Sequence, residues 1–241
     1  MNCKATLSSM VAAIGLLGAP PALACGTGGY SYAGVASSSN AFGIGATVTP
    51  LAGFDVRAGH VAAWVGVGGP GKGPNGTDEW LQTGFSGFPG VPGNNLYYEL
   101  ALPGKQPEYH QLARRLPIGR PARIAVLEMQ ARPNMWRVWL NGSAASGPIY
   151  LPGSHGRWAP IATAESWDGG TRGRCNGFLY RFDRISLAQA PGGDWHRLVG
   201  GYEIKGPATR LARSTRADGS FLAAEGRPGL FTLAALTVDS A

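Results

Sequence analysis

Several residue groups in this 241-residue chain have types and spacings that invite chemistry. Gly66 through Gly71-Lys72 fits all but the last position of the phosphate-cradling pattern G-x-x-x-x-G-K-[ST]. That last position is Gly73, so the hydroxyl that would hold Mg²⁺ is missing. The run continues as Gly73-Pro74-Asn75-Gly76, which opens no helix for a phosphate to sit on. The stretch therefore reads as a connector. Gly84-Phe85-Ser86-Gly87-Phe88 approaches a nucleophile elbow but carries Phe88 where the final glycine belongs. Ser154-His155 sets a hydroxyl beside an imidazole, and a serine-hydrolase set would have to be completed in space. Glu99 and Glu165 supply two carboxylates, which a glycosidase would need about 5–10 Å apart. The four histidines are scattered, and neither a C-x-x-C nor a His/Cys cluster at ligand spacing occurs. No metal or other cofactor is expected.

The elements that must position these residues are strands. The chain has 38 glycines and 18 prolines, and they fall at short intervals between alternating or β-branched runs. Those runs are 46–49, 61–67, 79–83, 96–102, 123–130, 136–140 and 178–187, with 200–204 and 220–224 as late candidates. This rhythm is that of an all-β sandwich or barrel. Asn141-Gly142 after the run Trp136–Leu140 marks a tight hairpin, because both turn positions need positive φ. Only Glu108–Arg115 carries a weak helical period.

Taken in order, several of these runs resemble the glutamic peptidases, or eqolisins. Tyr32-Ala33-Gly34 and Gly45-Ala46-Thr47-Val48-Thr49-Pro50 are similar to the family's opening W-G-G and S-A-T-F-T-V-P segments. Ala62-Ala63-Trp64-Val65-Gly66-Val67-Gly68 is similar to A-x-W-V-G-I-D-G, and Leu81-Gln82-Thr83-Gly84 to L-Q-T-G. Tyr97-Tyr98-Glu99 is similar to W-Y-E, and Thr163-Ala164-Glu165-Ser166-Trp167 to the N-A-E-W segment. The resemblance covers roughly residues 30–187. It implies a secreted, antiparallel two-sheet β-sandwich of the concanavalin A-like jelly-roll kind. It also implies an acid-working endopeptidase with Gln82 and Glu165 as the catalytic pair. In that mechanism the glutamate takes a proton from the attacking water and returns it to the leaving nitrogen. The glutamine amide orients water and stabilises the oxyanion. By the same resemblance Trp64, Tyr97 and Glu99 would line the substrate cleft, and the rings of Trp80 and Trp167 would suit as further walls for a peptide or a sugar.

Strand alternation is compatible with that placement. Gln82 shares a face with Trp80, while Leu81 and Thr83 take the other; Tyr97 pairs with Glu99 and Glu165 with Trp167. Three neighbouring strands would then line one concave sheet. A plain half-buried strand would also turn Gln82 and Glu99 outward. Ser166 follows Glu165 where the family carries Trp, and one residue of register decides which face Glu165 takes.

Residues 1–24 read as an export signal, with Lys4, an apolar centre from Met10 to Leu17, and Ala22-Leu23-Ala24 as cleavage site. A lipid anchor at Cys25 is the competing reading. No other run approaches the ~20 apolar residues of a membrane span. Residues 25–190 form the expected sandwich, and 191–241 supply closing strands plus a peripheral tail. Cys25 and Cys175, the two cysteines left after signal removal, are expected to pair in an oxidising compartment. The net charge of +7 is mostly arginine, without the interleaved aromatics of a nucleic-acid platform. Expected partners are a polypeptide substrate or an extracellular glycan, with no nucleic acid. A non-catalytic binding module that uses the same face is the alternative function.

Overall fold

The computed structural model describes residues 28–171, 174–199, 201–205, 212–215 and 218–226. The expected signal segment and Cys25 lie outside the described residues. The strands are β1 (Tyr30–Ala36), β2 (Gly43–Asp55), β3 (His60–Gly69), β4 (Glu79–Gly87), β5 (Asn94–Ala101) and β6 (Glu108–Leu116). They continue with β7 (Ala122–Glu128), β8 (Met135–Leu140), β9 (Ser143–Ala144), β10 (Ile149–Tyr150), β11 (Ile161–Trp167) and β12 (Gly170–Thr171). The last are β13 (Arg174–Cys175), β14 (Gly177–Ala190), β15 (Gly193–Arg197), β16 (Tyr202–Lys205), β17 (Ala212–Thr215) and β18 (Phe221–Glu225).

One sheet has the order β16-β1-β11-β3-β4-β5-β6, and the other β10-β8-β7-β2-β14-β18-β17, with β15 added on β14 and β9 on β8. Neighbours are antiparallel throughout, so the chain is an antiparallel β-sandwich, as its turn-punctuated pattern predicts. Alternation fills the space between the sheets. Val61, Ala63, Val65 and Val67 of β3 point inward with Leu81 and Phe85 of β4. From the facing sheet come Ile44, Ala46 and Val48 of β2 and Phe178, Tyr180 and Phe182 of β14. Each large aromatic withdrawn from water in this way contributes about 2–3 kcal/mol.

The Asn141-Gly142 turn has positive φ at both positions and closes β8 onto β9. The glycine-rich stretch with the phosphate-loop pattern is a connector: β3 runs through Gly69, and a single 3-10 turn at Pro74–Gly76 precedes β4. The weak helical period over Glu108–Arg115 gives a strand instead. β6 is the edge of its sheet, paired on one side only, and its polar, largely exposed side chains are those of a protected edge. Among the described residues no helix is long and apolar enough to cross a membrane.

Candidate functional site

The outer face of the seven-stranded sheet collects the residues singled out by sequence. Along β3 its outward residues are His60, Ala62, Trp64, Gly66 and Gly68. Ala62 stands between Glu165 of β11 and Ser86 of β4. Trp64 stands between Thr163 and Gly84, and Gly66 between Ile161 and Gln82. One strand further on, Gly84 faces Tyr97 and Gln82 faces Glu99 of β5. Glu165 therefore points outward, and its neighbour Ser166 turns inward opposite Val61. Four strands carry the site rather than three, because β3 lies between β11 and β4.

Glu165 and Gln82 share this face but do not touch. They are offset by two strands and by four residues along β3, with Trp64 between them. Glu165 is 6% exposed, and both its oxygens are engaged. Trp64 Nε1 donates to Oε2 at 2.9 Å, and His60 Nε2 meets Oε1 at 3.2 Å. Gln82, 8% exposed, donates from Nε2 to the Tyr97 hydroxyl at 2.9 Å. That amide nitrogen carries two hydrogens, so one stays available to a ligand oxygen. Tyr97 stacks on Tyr109 with ring centroids 5.1 Å apart, and the Tyr109 hydroxyl lies 2.8 Å from Ser86 Oγ.

Burial shapes the electrostatics. It raises the phenol of Tyr97 well above its usual value, with the charges of Glu165 and Glu99 adding to the effect. Tyr32 moves the same way for the same leading reason, with Glu165 again contributing. Both hydroxyls thus stay neutral donors and acceptors over a wide pH range. Burial also raises the carboxyl of Glu99; the hydrogen bond from Trp80 Nε1, 3.0 Å long, opposes it, and the charge of Glu165 adds a further increase. A proton is therefore held on Glu99 more readily than on a free carboxylate. Trp167 lies at the open end of the face, 42% exposed and stacked on His60 at 5.8 Å.

Three glycines, Gly34, Gly66 and Gly84, occupy this face beside the large side chains. A Cβ on Gly84 would sit 2.0 Å from the Ala63 carbonyl oxygen, so backbone approach excludes any side chain between Trp64 and Tyr97. The outcome is a low floor between the Trp64 and Tyr97 rings.

Comparison with solved structures decides what fold this is. Scytalido-glutamic peptidase, bound to a peptide-based transition-state analogue, superposes with a TM-score of 0.56 at 15% identity, covering 84% of this chain and 100% of that one. SCP-B, a member of the eqolisin family in complex with the tripeptide Ala-Ile-His, gives 0.51 at 15% identity with the same coverage. The fold is that of the eqolisins. No protein-family model and no curated protein sequence matches the chain, so the likeness to eqolisins is one of architecture.

Alternation groups Gln82 with Trp80, Tyr97 with Glu99 and Glu165 with Trp167 but leaves the face of Glu165 open; the strand register brings all six, with Trp64, onto one sheet face. Sequence reasoning missed His60, Tyr109 and Ser86. His60 was legible in principle, since it lies two and four residues before Ala62 and Trp64 on the same face of β3. Ser154, by contrast, is 1% exposed and takes a hydrogen bond from Trp136, while His155 turns to Glu128; that pair is not a nucleophile and its base. Cys175 lies in β13 beside the β12 ladder, and its expected partner falls outside the described residues. Among the described residues no cluster of three metal-ligating side chains occurs.

Proposed function

We propose that the chain is a secreted glutamic-peptidase-like endopeptidase working in acid, with the outer face of the seven-stranded sheet as its active site. One observation carries the reading. Glu165 and Gln82 emerge on the same face, each held by an aromatic donor or acceptor, on either side of Trp64. A peptide lying across this face would present its scissile carbonyl to both. Glu165 takes a proton from water as the water adds to the carbonyl carbon. The free N–H of Gln82 meets the developing oxyanion. Glu165 then passes its proton to the leaving nitrogen as the C–N bond breaks. Trp64 and Tyr97 hold the two groups in place and wall the cleft, and Trp167, Trp80 and Glu99 extend it. No metal or cofactor is needed for these steps. Export and a Cys25–Cys175 bridge belong to the same reading.

The competing reading is a non-catalytic module binding peptide or glycan on this face. It is favoured by the fact that Glu165 and Gln82 already have their partners within the protein. The test is hydrolysis of a denatured protein by the purified chain at pH values of about 2 to 5, the range in which a carboxyl cycles its proton. Cleavage that vanishes in both Glu165→Gln and Gln82→Ala supports the peptidase. Equal activity in wild type and variants overturns it, and an inert wild type that still binds peptide identifies the module.

A further inference from the structure

The opposite side of the molecule has a groove that this chemistry does not use. On the outer face of the nine-stranded sheet, two adjoining cavities of about 270 and 250 Å³ share Leu127, Trp139 and Gly192 as lining. Arg137 completes the first, and Arg123 and Trp195 the second. The register explains the arrangement. Trp139 faces Ala125, which faces Gly45 of β2; the hairpin from β14 to β15 then brings Trp195 back over the same row. A Cβ added to Gly45 would lie 3.6 Å from the Trp195 ring, so the indole reaches across β14 to the glycine. Two indoles therefore border a floor of alanine and glycine.

Two features say what the groove takes. The Arg137 Nε and the Trp139 indole N–H are shielded from solvent and have no hydrogen-bond partner. Buried donors left without acceptors are costly and uncommon, so a ligand rich in oxygen would satisfy them. The groove is also positive. Neither Arg123 nor Arg137 has an ion-pair partner among the described residues. The one carboxylate that lines it, Glu128, is fully buried and turned to His155 and the Asn134 N–H. The apolar C–H face of a sugar ring packs on an indole face, and a guanidinium grips a carboxylate with two parallel hydrogen bonds. We propose that this groove is a binding site for an acidic saccharide, with sugar rings against Trp139 and Trp195 and the carboxylates of separate uronate units on Arg137 and on Arg123. It would anchor the chain to an anionic polysaccharide while the other sheet stays open to substrate.

Titration with oligogalacturonate, read by tryptophan fluorescence and by calorimetry, tests this. Binding should weaken at least about tenfold in Arg137→Ala and in Trp195→Ala and stay unchanged in Gln82→Ala. A neutral cello-oligosaccharide should bind at least about tenfold more weakly than the uronate. Melting curves confirm that the variants fold, with Trp195→Phe as the substitute if the alanine variant does not. Three results would each overturn the proposal. These are no binding of oligogalacturonate, binding indifferent to both substitutions, and a polyglutamate peptide binding as tightly as the saccharide. Self-association of the chain abolished by Trp195→Ala would also overturn it, since a second copy would then fill the groove.

Discussion

At the scale of single residues, Tyr97 sets the direction of Gln82. Its hydroxyl accepts one amide hydrogen, and burial keeps that phenol protonated through the working range of a carboxyl. Removing the hydroxyl leaves the Gln82 amide free to rotate, while stacking on Tyr109 keeps the ring in place. If Gln82 is the oxyanion donor proposed above, Tyr97→Phe should lower kcat by about tenfold with little change in KM, because such a donor acts mainly in the transition state. Steady-state kinetics on a peptide substrate check this; a rise in KM at constant kcat would assign Tyr97 to binding alone. Trp64 acts on Glu165 in the same way. Trp64→Phe keeps an aromatic wall but removes the indole N–H on Oε2, so Glu165 keeps only His60 to orient it. On the proposed peptidase reading kcat should fall by about tenfold with little change in KM. An unchanged kcat would leave Trp64 as a wall only.

At the scale of elements, the floor of the site depends on β3 and β4 pairing closely. Gly84→Ala would place a methyl group against the Ala63 carbonyl oxygen, a backbone atom that yields only if the strands separate. A loss of about 2–4 kcal/mol is expected, read as a lower melting temperature along with lost activity. Near-wild-type stability would show that the strands part more easily than their register suggests. The same strands show what was legible beforehand. Alternation fixes the face of Gln82 relative to Leu81 from β4 alone, because a period of two is a local property. The meeting of His60 with Glu165 depends on β3 and β11 lying side by side, although 105 residues separate the pair along the chain. Nothing local in either run states that adjacency. Glu108–Leu116 misleads for the converse reason. Its spacing of polar and apolar residues has no core to answer to, and pairing with β5 overrides a weak helical preference. Glu165 was ambiguous by one position, and the ladder with Ala62 and Tyr32 resolves it.

At the scale of the whole molecule, pH acts on stability through carboxyls that lie outside the site. Glu225 of β18 is buried, with Oε2 unpartnered, and burial raises its pKa from 4.5 to about 7 despite a hydrogen bond with Ser166. Glu79 at the start of β4 is closed to solvent with neither oxygen partnered, and burial again raises it to about 7, though its surroundings are sparser than those of Glu225. Both groups hold their protons more tightly in the folded chain than in the unfolded one. Below about pH 4.5 both states are protonated and no stability is lost. As pH rises from there the unfolded chain ionises first, so stability falls until the folded carboxyls ionise near 7. For Glu225 the loss is about 3 kcal/mol across that window. These two carboxyls thus favour the folded chain most in mild acid. Glu225→Gln keeps a neutral partner for Ser166 at every pH and should flatten the decline in melting temperature between about pH 4.5 and 7 relative to wild type. Parallel melting curves for the two proteins would show that Glu225 ionises as freely in the fold as outside it.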